Sequence, residues 1–116
     1  MATDPATRGM QVTLFLCGDV MTGRGIDQIQ ARSVPPELHE PWVKDAMDYV
    51  RLAQRANGPV PRPVDPAYVW GEALAVWAAT PHDLRFVNLE TSITTSDDFW
   101  PSKGIHYRMH TDNDAC

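Results

Sequence analysis

Val12-Thr13-Leu14-Phe15-Leu16-Cys17 runs directly into Gly18-Asp19, and this junction constrains the chain more than any other segment. A near-continuous apolar run cannot alternate between water and a core. It is therefore expected to form a buried strand of a parallel sheet, ending at Gly18. The polar stretch from Gly18 to Gly25 carries Gly18, Gly23 and Gly25, and Ile26-Asp27-Gln28-Ile29-Gln30 can then open a short helix. Strand, glycine turn and helix in that order are the entry to an α/β layer. Cys17, inside the run, is expected to be a reduced, buried thiol that packs as a small hydrophobe. With Cys116 it offers neither a disulfide framework nor paired metal-ligand spacing.

A second strand is expected at Leu84-Arg85-Phe86-Val87, running into Asn88-Leu89-Glu90-Thr91-Ser92, and a third at Ile105 to Met109. Between the first two strands, Val43, Ala46, Met47, Val50 and Ala53 recur at spacings of three and four, which predicts a helix over Pro41 to Ala56. Asn57-Gly58 and the prolines at 59, 61 and 63 end it. Asp65-Pro66 has the form of an N-cap followed by a first-turn proline, opening a helix from Pro66 to about Ala79. Seven of the ten prolines lie between Pro35 and Pro66, so the middle must hold irregular stretches. They are expected to form an ordered connection between helices rather than a linker between domains. Two parallel strands joined by helices place their carboxyl ends at one sheet edge, where open α/β sheets bind ligands. Asp19 and Glu90, far apart in the chain, can meet there.

The residues alone leave the chemistry open. Asp19 can bind a hard cation or cap the following turn, while the glycines can admit an anion or supply positive φ. Asn88 and Glu90 project the same way if strand geometry persists, toward one metal ion or as caps of the next segment. Lys103, Arg108 and a histidine, His106 or His110, can clamp phosphate or carboxylate groups. A solvated strand face carrying His106, Arg108 and His110 explains the same pattern. His39 and His82 are expected to be surface residues, and Trp42, Trp70, Trp77 and Trp100 to be packing residues. No dinucleotide fingerprint, phosphate-binding loop or nucleophile elbow is present.

Partners are bounded by charge. Fifteen acidic residues against ten basic, with no Lys/Arg cluster, disfavour a nucleic-acid or anionic-membrane binder. No apolar stretch is long enough for a signal-peptide core or a membrane span, so the chain as written is expected to be soluble and cytoplasmic. Residues 1–10, small and polar, are expected to be a flexible N-terminus.

Taken in order, Leu14 to Gly25, Val87-Asn88-Leu89-Glu90-Thr91 and Lys103 to His110 resemble the beginning of the bacterial CapA family, the poly-γ-glutamate capsule synthesis proteins related to calcineurin-like metallophosphatases. The resemblance implies the N-terminal part of a metallophosphatase-like α/β/β/α sandwich over residues 11–116, truncated at its C-terminus. It implies a divalent metal ion (Mn, Mg, Zn or Fe) at the strand ends, with Asp19 and Glu90 as metal ligands. Asn88 and Arg24 would be catalytic, and Arg108, Lys103 and His110 would bind substrate. Met21 stands where related phosphatases carry a histidine. The implied reaction is metal-assisted phosphoester hydrolysis or a related transfer, acting on an anionic small molecule or polyglutamate together with capsule-synthesis machinery. The alternative is a non-catalytic polyanion-binding or assembly subunit. Family members are often anchored at the cell surface, so the resemblance implies cell-surface association, although no anchor is expected from the residues of this chain.

Overall fold

The computed structural model describes residues 11–116, so the expectation for residues 1–10 lies outside the described residues. The fold is α/β. Strand β1, Leu14–Val20, leads through the glycine turn to helix α1, Gly25–Ile29, and after an irregular stretch to α2, Met47–Asn57. A 3-10 helix, Pro66–Trp70, precedes α3, Ala73–Ala79, and the chain returns in β2, Leu84–Leu89. Short strands β3, Ser92–Ile93, and β4, Arg108–Met109, complete the order with a final 3-10 turn at Thr111–Asn113.

β1 and β2 pair in parallel, as the crossover requires. Leu14 faces Leu84, Leu16 faces Phe86 and Asp19 faces Asn88, so β1 holds one more residue than β2 between the last two pairs, a β-bulge at Cys17-Gly18. The strand thus continues past Gly18, and Asp19 lies inside the ladder instead of in the turn. Burial is where expectation fails most. Leu16 is 69% exposed and Phe86 55%, and Cys17 is exposed rather than buried, because within the described residues this sheet has only two strands. The molecule is accordingly elongated, 71 × 35 × 24 Å, with a radius of gyration of 19.6 Å, where a compact chain of about 100 residues would have about 13 Å.

Both helices were expected to be longer than they are. Residues 37–45 instead fold back on themselves: Glu37 bridges Asp45, Leu38 N–H donates to Lys44 O at 2.9 Å and Ala46 N–H to Pro36 O at 2.7 Å. α2 therefore starts only at Met47, whose N–H is taken by Asp45 Oδ1 at 2.7 Å. Asp65 does cap the next segment, accepting from Ala67 N–H at 2.9 Å, but Gly71, at φ 51°, breaks the helix in two. The third strand shrinks to Arg108–Met109 and pairs in parallel with Ser92–Ile93, leaving His106 outside it.

The apolar core is small. Ile29 of α1, Val50 of α2 and Val64 of the proline-rich segment are buried together, and Val64 N–H donates to Ile29 O at 2.9 Å. The proline-rich segment is thus a packed connection. Gly25 makes the α1–α2 contact feasible, since a Cβ there would lie 2.9 Å from Tyr49 Cβ. Trp70 and Trp77 do pack, with centroids 5.0 Å apart, whereas Trp42 and Trp100 are largely exposed.

Candidate functional site

The two parallel strands bring the first two sequence blocks together at one edge of the sheet. Asn88 Nδ2 donates to Asp19 Oδ1 at 2.7 Å, leaving Asp19 Oδ2 and the Asn88 amide oxygen free of each other. The bulge has a direct consequence here. Strand alternation puts Asn88 on the face of Phe86 and Leu16, and an unbulged β1 would put Asp19 on the opposite face. With the extra residue absorbed at Cys17-Gly18, Asp19 turns to the Asn88 side. The ladder continues through Glu90 N–H to Val20 O at 2.9 Å, so Glu90 follows Asn88 on that side by the same alternation. Asp19, Asn88 and Glu90 are all exposed.

These are hard oxygen donors of the type that suits Mg²⁺ or Mn²⁺. They fit part of a divalent-cation site. Among the described residues, no group of three or more His, Cys, Asp or Glu side chains comes together to hold a metal ion.

Arg24 stands apart from this edge. Its guanidinium forms an ion pair with Glu40, which is fully buried, and lies over the rings of Tyr107 and Tyr49 at 4.5 and 5.1 Å. Its backbone has φ 52°, a region that favours glycine. The neighbouring glycines serve another purpose. Gly23 and Gly25 have no positive φ, and Gly23 lets β4 approach so closely that a Cβ would meet the Arg108 carbonyl oxygen at 2.7 Å. Burial raises the Tyr49 phenol above its ordinary value; Arg24 opposes this and the Glu40 carboxylate adds to it.

The third block is distributed rather than convergent. Arg108 pairs with Asp97 at 2.8 Å and donates to the Ser96 carbonyl. Lys103 is exposed. His110 turns inward, its Nδ1 accepting from Asp112 N–H at 3.0 Å as the cap of the last 3-10 turn. Arg108 and Lys103 share the lining of a cavity of about 210 Å³ between residues 34–46 and 92–108, together with His39 and His106.

Two buried acids are invisible to motif reasoning. Asp27 accepts from Val34 N–H at 2.8 Å, His110 N–H at 2.8 Å and Asn113 Nδ2 at 2.6 Å, tying α1 to the end of the chain. Glu40 anchors Arg24, and its carbonyl takes the Lys44 ammonium. For Asp27 the only available signal was an acid between Ile26 and Ile29 on a short helix; Glu40, outside any helix, had none. Burial raises the Cys116 thiol, with the Asp27 charge contributing.

Comparison with known proteins follows the same outline. The family model described as bacterial capsule synthesis protein PGA_cap matches residues 13–116. Probable polyglutamine synthesis accessory proteins of Mycobacterium tuberculosis, from strains CDC 1551 and H37Rv, are each 52% identical over 102 residues. The match takes in 88% of this chain and 27% of each relative, so the chain spans about a quarter of the curated relatives' length. No solved structure matches significantly. No helix among the described residues is long and apolar enough to cross a membrane.

Proposed function

Because this chain belongs to the PGA_cap family of bacterial capsule synthesis proteins, we propose that it contributes part of a divalent-cation site to a protein acting in the synthesis of a glutamyl polymer. Asp19 and Glu90 are the metal ligands of this reading, with Asn88 beside them. The observation that carries it is the 2.7 Å hydrogen bond from Asn88 to Asp19 across the bulged ladder, which orients one carboxylate oxygen and leaves the other available. A bound Mg²⁺, Mn²⁺, Zn²⁺ or Fe ion would polarise a phosphoryl oxygen and lower the pKa of bound water, the chemistry of phosphoester hydrolysis or transfer. Asn88 keeps the Asp19 carboxylate in place. Arg108 and Lys103 supply positive charge for an anionic substrate from the neighbouring cavity, and Arg24, already paired with Glu40, supports the turn. The relatives' names add an accessory role in polyglutamine synthesis and hence association with synthesis machinery.

Calorimetric titration of Mn²⁺ into wild type and Asp19→Ala tests the cation site. Binding is expected in wild type and at least about tenfold weaker in the variant; identical isotherms would remove Asp19 from the site. Metal-dependent turnover of model phosphoesters, abolished in Glu90→Ala, would support the enzyme.

A second reading, a non-catalytic assembly or polyanion-binding subunit, is favoured by one observation: among the described residues no group of three or more His, Cys, Asp or Glu side chains converges to hold a metal ion. Saturable polyglutamate binding without phosphoester turnover would select it.

A further inference from the structure

The cavity of about 210 Å³ between residues 34–46 and 92–108 gathers polar atoms that the fold leaves without partners. Among the described residues, five buried side-chain nitrogen or oxygen atoms have no hydrogen-bond partner, and three of them, Arg24 Nε, Arg108 Nη2 and His106 Nδ1, belong to residues that line this cavity. Arg108 Nη2 lies 2.8 Å from Asp97 Oδ1, an ion pair whose alignment does not make it a hydrogen bond. Buried polar groups are as a rule hydrogen-bonded, so a concentration of exceptions at one cavity marks a place where a bound molecule completes them.

The three atoms are not alike. Both guanidinium nitrogens can only donate. His106 Nε2 is 3.2 Å from Trp100 O, which can only accept, so the neutral ring carries its hydrogen there and keeps Nδ1 as an acceptor. Phe99 holds this ring edge-on at 5.4 Å, and His39, expected at the surface, lies flat on Phe99 at 3.7 Å and ties the two walls of the cavity together. The charges are mixed in the same way. Arg24 is cancelled by Glu40 and Arg108 by Asp97, which leaves Lys103 against Glu37 and Asp98, none of them in an ion pair among the described residues.

A phosphate group supplies acceptors only, and would leave His106 Nδ1 and two unpaired carboxylates beside further negative charge. An α-amino acid group supplies both kinds: its carboxylate suits the guanidinium N–H groups and Lys103, and its ammonium suits His106 Nδ1, Glu37 and Asp98. Pockets for whole small molecules run to about 300–1,000 Å³, so a cavity of 210 Å³ suits an end group better than a stretch of polymer. We propose that this cavity is a chain-end subsite that takes a free α-ammonium group together with its α-carboxylate. An interior residue of a glutamyl polymer, whose nitrogen is an uncharged amide, lacks the group that the acidic side of the cavity selects. The choice of a glutamyl chain rests on the function proposed above; the selection of an ammonium–carboxylate pair rests on the cavity.

Calorimetric titration of the full chain in metal-free buffer tests this apart from the cation site. L-glutamate is expected to bind saturably. Glutarate, which lacks the amino group and adds no bulk, and N-acetyl-L-glutamate, which mimics an interior residue, should each bind at least about tenfold more weakly, because the acceptors for the ammonium are left unpaired. The double variant Glu37→Gln with Asp98→Asn, changed at two exposed side chains, should lose most of the preference for L-glutamate over glutarate, whereas Lys103→Ala should weaken both alike. Glutarate binding as tightly as L-glutamate, a full preference retained in the double variant, or no saturable binding of either L-glutamate or L-alanine would overturn the proposal. Binding of L-alanine without L-glutamate would keep the end-group subsite and remove the glutamyl reading.

Discussion

The β1–β2 pair and the region around Asp27 and Glu40 invert each other. The first is apolar in sequence and exposed in the fold: Leu14, Leu16, Leu84, Phe86, Val87 and Leu89 are each at least 46% accessible. The second is polar in sequence and buried, with Asp27 and Glu40 at 0%. Apolar residues record a preference for burial that needs a covering layer, and two strands cannot supply one for themselves. A buried acid needs donors placed around it, and two chain segments, at Val34 and at His110–Asn113, converge to supply three of them to Asp27. Stability within these residues is therefore expected to reside in the polar region.

The sharpest way to break this contrast is at Asp27. Asp27→Ala removes the acceptor from Val34 N–H, His110 N–H and Asn113 Nδ2 at once, and each buried donor left unpaired costs about 1–3 kcal/mol. A loss of about 4 kcal/mol or more in urea unfolding is expected, and a change under about 1 kcal/mol would show that the hub is not structural. Next is Arg24→Ala, which leaves Glu40 buried without its counter-charge and should cost about 3 kcal/mol. Replacing both partners by apolar residues, Arg24→Met with Glu40→Leu, should recover most of that loss. Failure to recover would mean that the pair's hydrogen bonds, rather than the avoidance of an orphan charge, hold the turn.

The two regions also differ in how legible they were. The parallel pairing of β1 with β2, with their polar carboxyl ends side by side, could be read from two apolar runs that end in polar residues, because chain direction and crossover leave few alternatives; the contact expected there was Asp19 with Glu90, and the one formed is Asp19 with Asn88. The bulge could not be read, since nothing in Cys17-Gly18 specifies that one residue goes unmatched. The break at Gly71 could not be read either, because the apolar periodicity of 66–79 runs straight across it. Asp27 and Glu40 escaped notice for a more general reason. Spacing identifies which residues share a face, but a buried carboxylate depends on backbone donors that arrive from Val34 and His110. Arg24 was given a catalytic role by resemblance, and its role in the fold rests on Glu40, 16 positions away in a stretch without periodicity.

Smaller effects sharpen the same contrast. Gly25→Ala should cost about 1–3 kcal/mol, because the new methyl meets Tyr49 Cβ at 2.9 Å, where α1 and α2 cannot separate without opening the small core. Gly18→Ala, with nothing within 4 Å of the added carbon, should be nearly silent. At alkaline pH the Tyr49 phenol gives a weaker signal. Its raised pKa means that the folded state holds the proton more tightly, so its contribution is complete below the ordinary tyrosine value near 10.0 and is lost as pH rises through the folded value. Stability should therefore fall above about pH 10 with a component missing from Tyr49→Phe.

The smallest expected effect carries the most information about the sheet. Leu16 is 69% exposed, so Leu16→Ser should change the stability of this chain by no more than about 0.5 kcal/mol, the range of ordinary surface substitutions. A fully buried leucine would lose several times as much, about 2–5 kcal/mol for truncation to a small side chain. The same substitution made opposite, at Phe86, should be equally mild, because Phe86 is 55% exposed and faces Leu16 across the ladder. Measured together, the two changes should also be additive: partners that face each other without a covering layer share only their mutual contact. If instead both prove strongly destabilising and coupled, the sheet face is covered in solution and the apolar run of β1 is buried after all. The ordering proposed here, polar hub above sheet, would then be reversed.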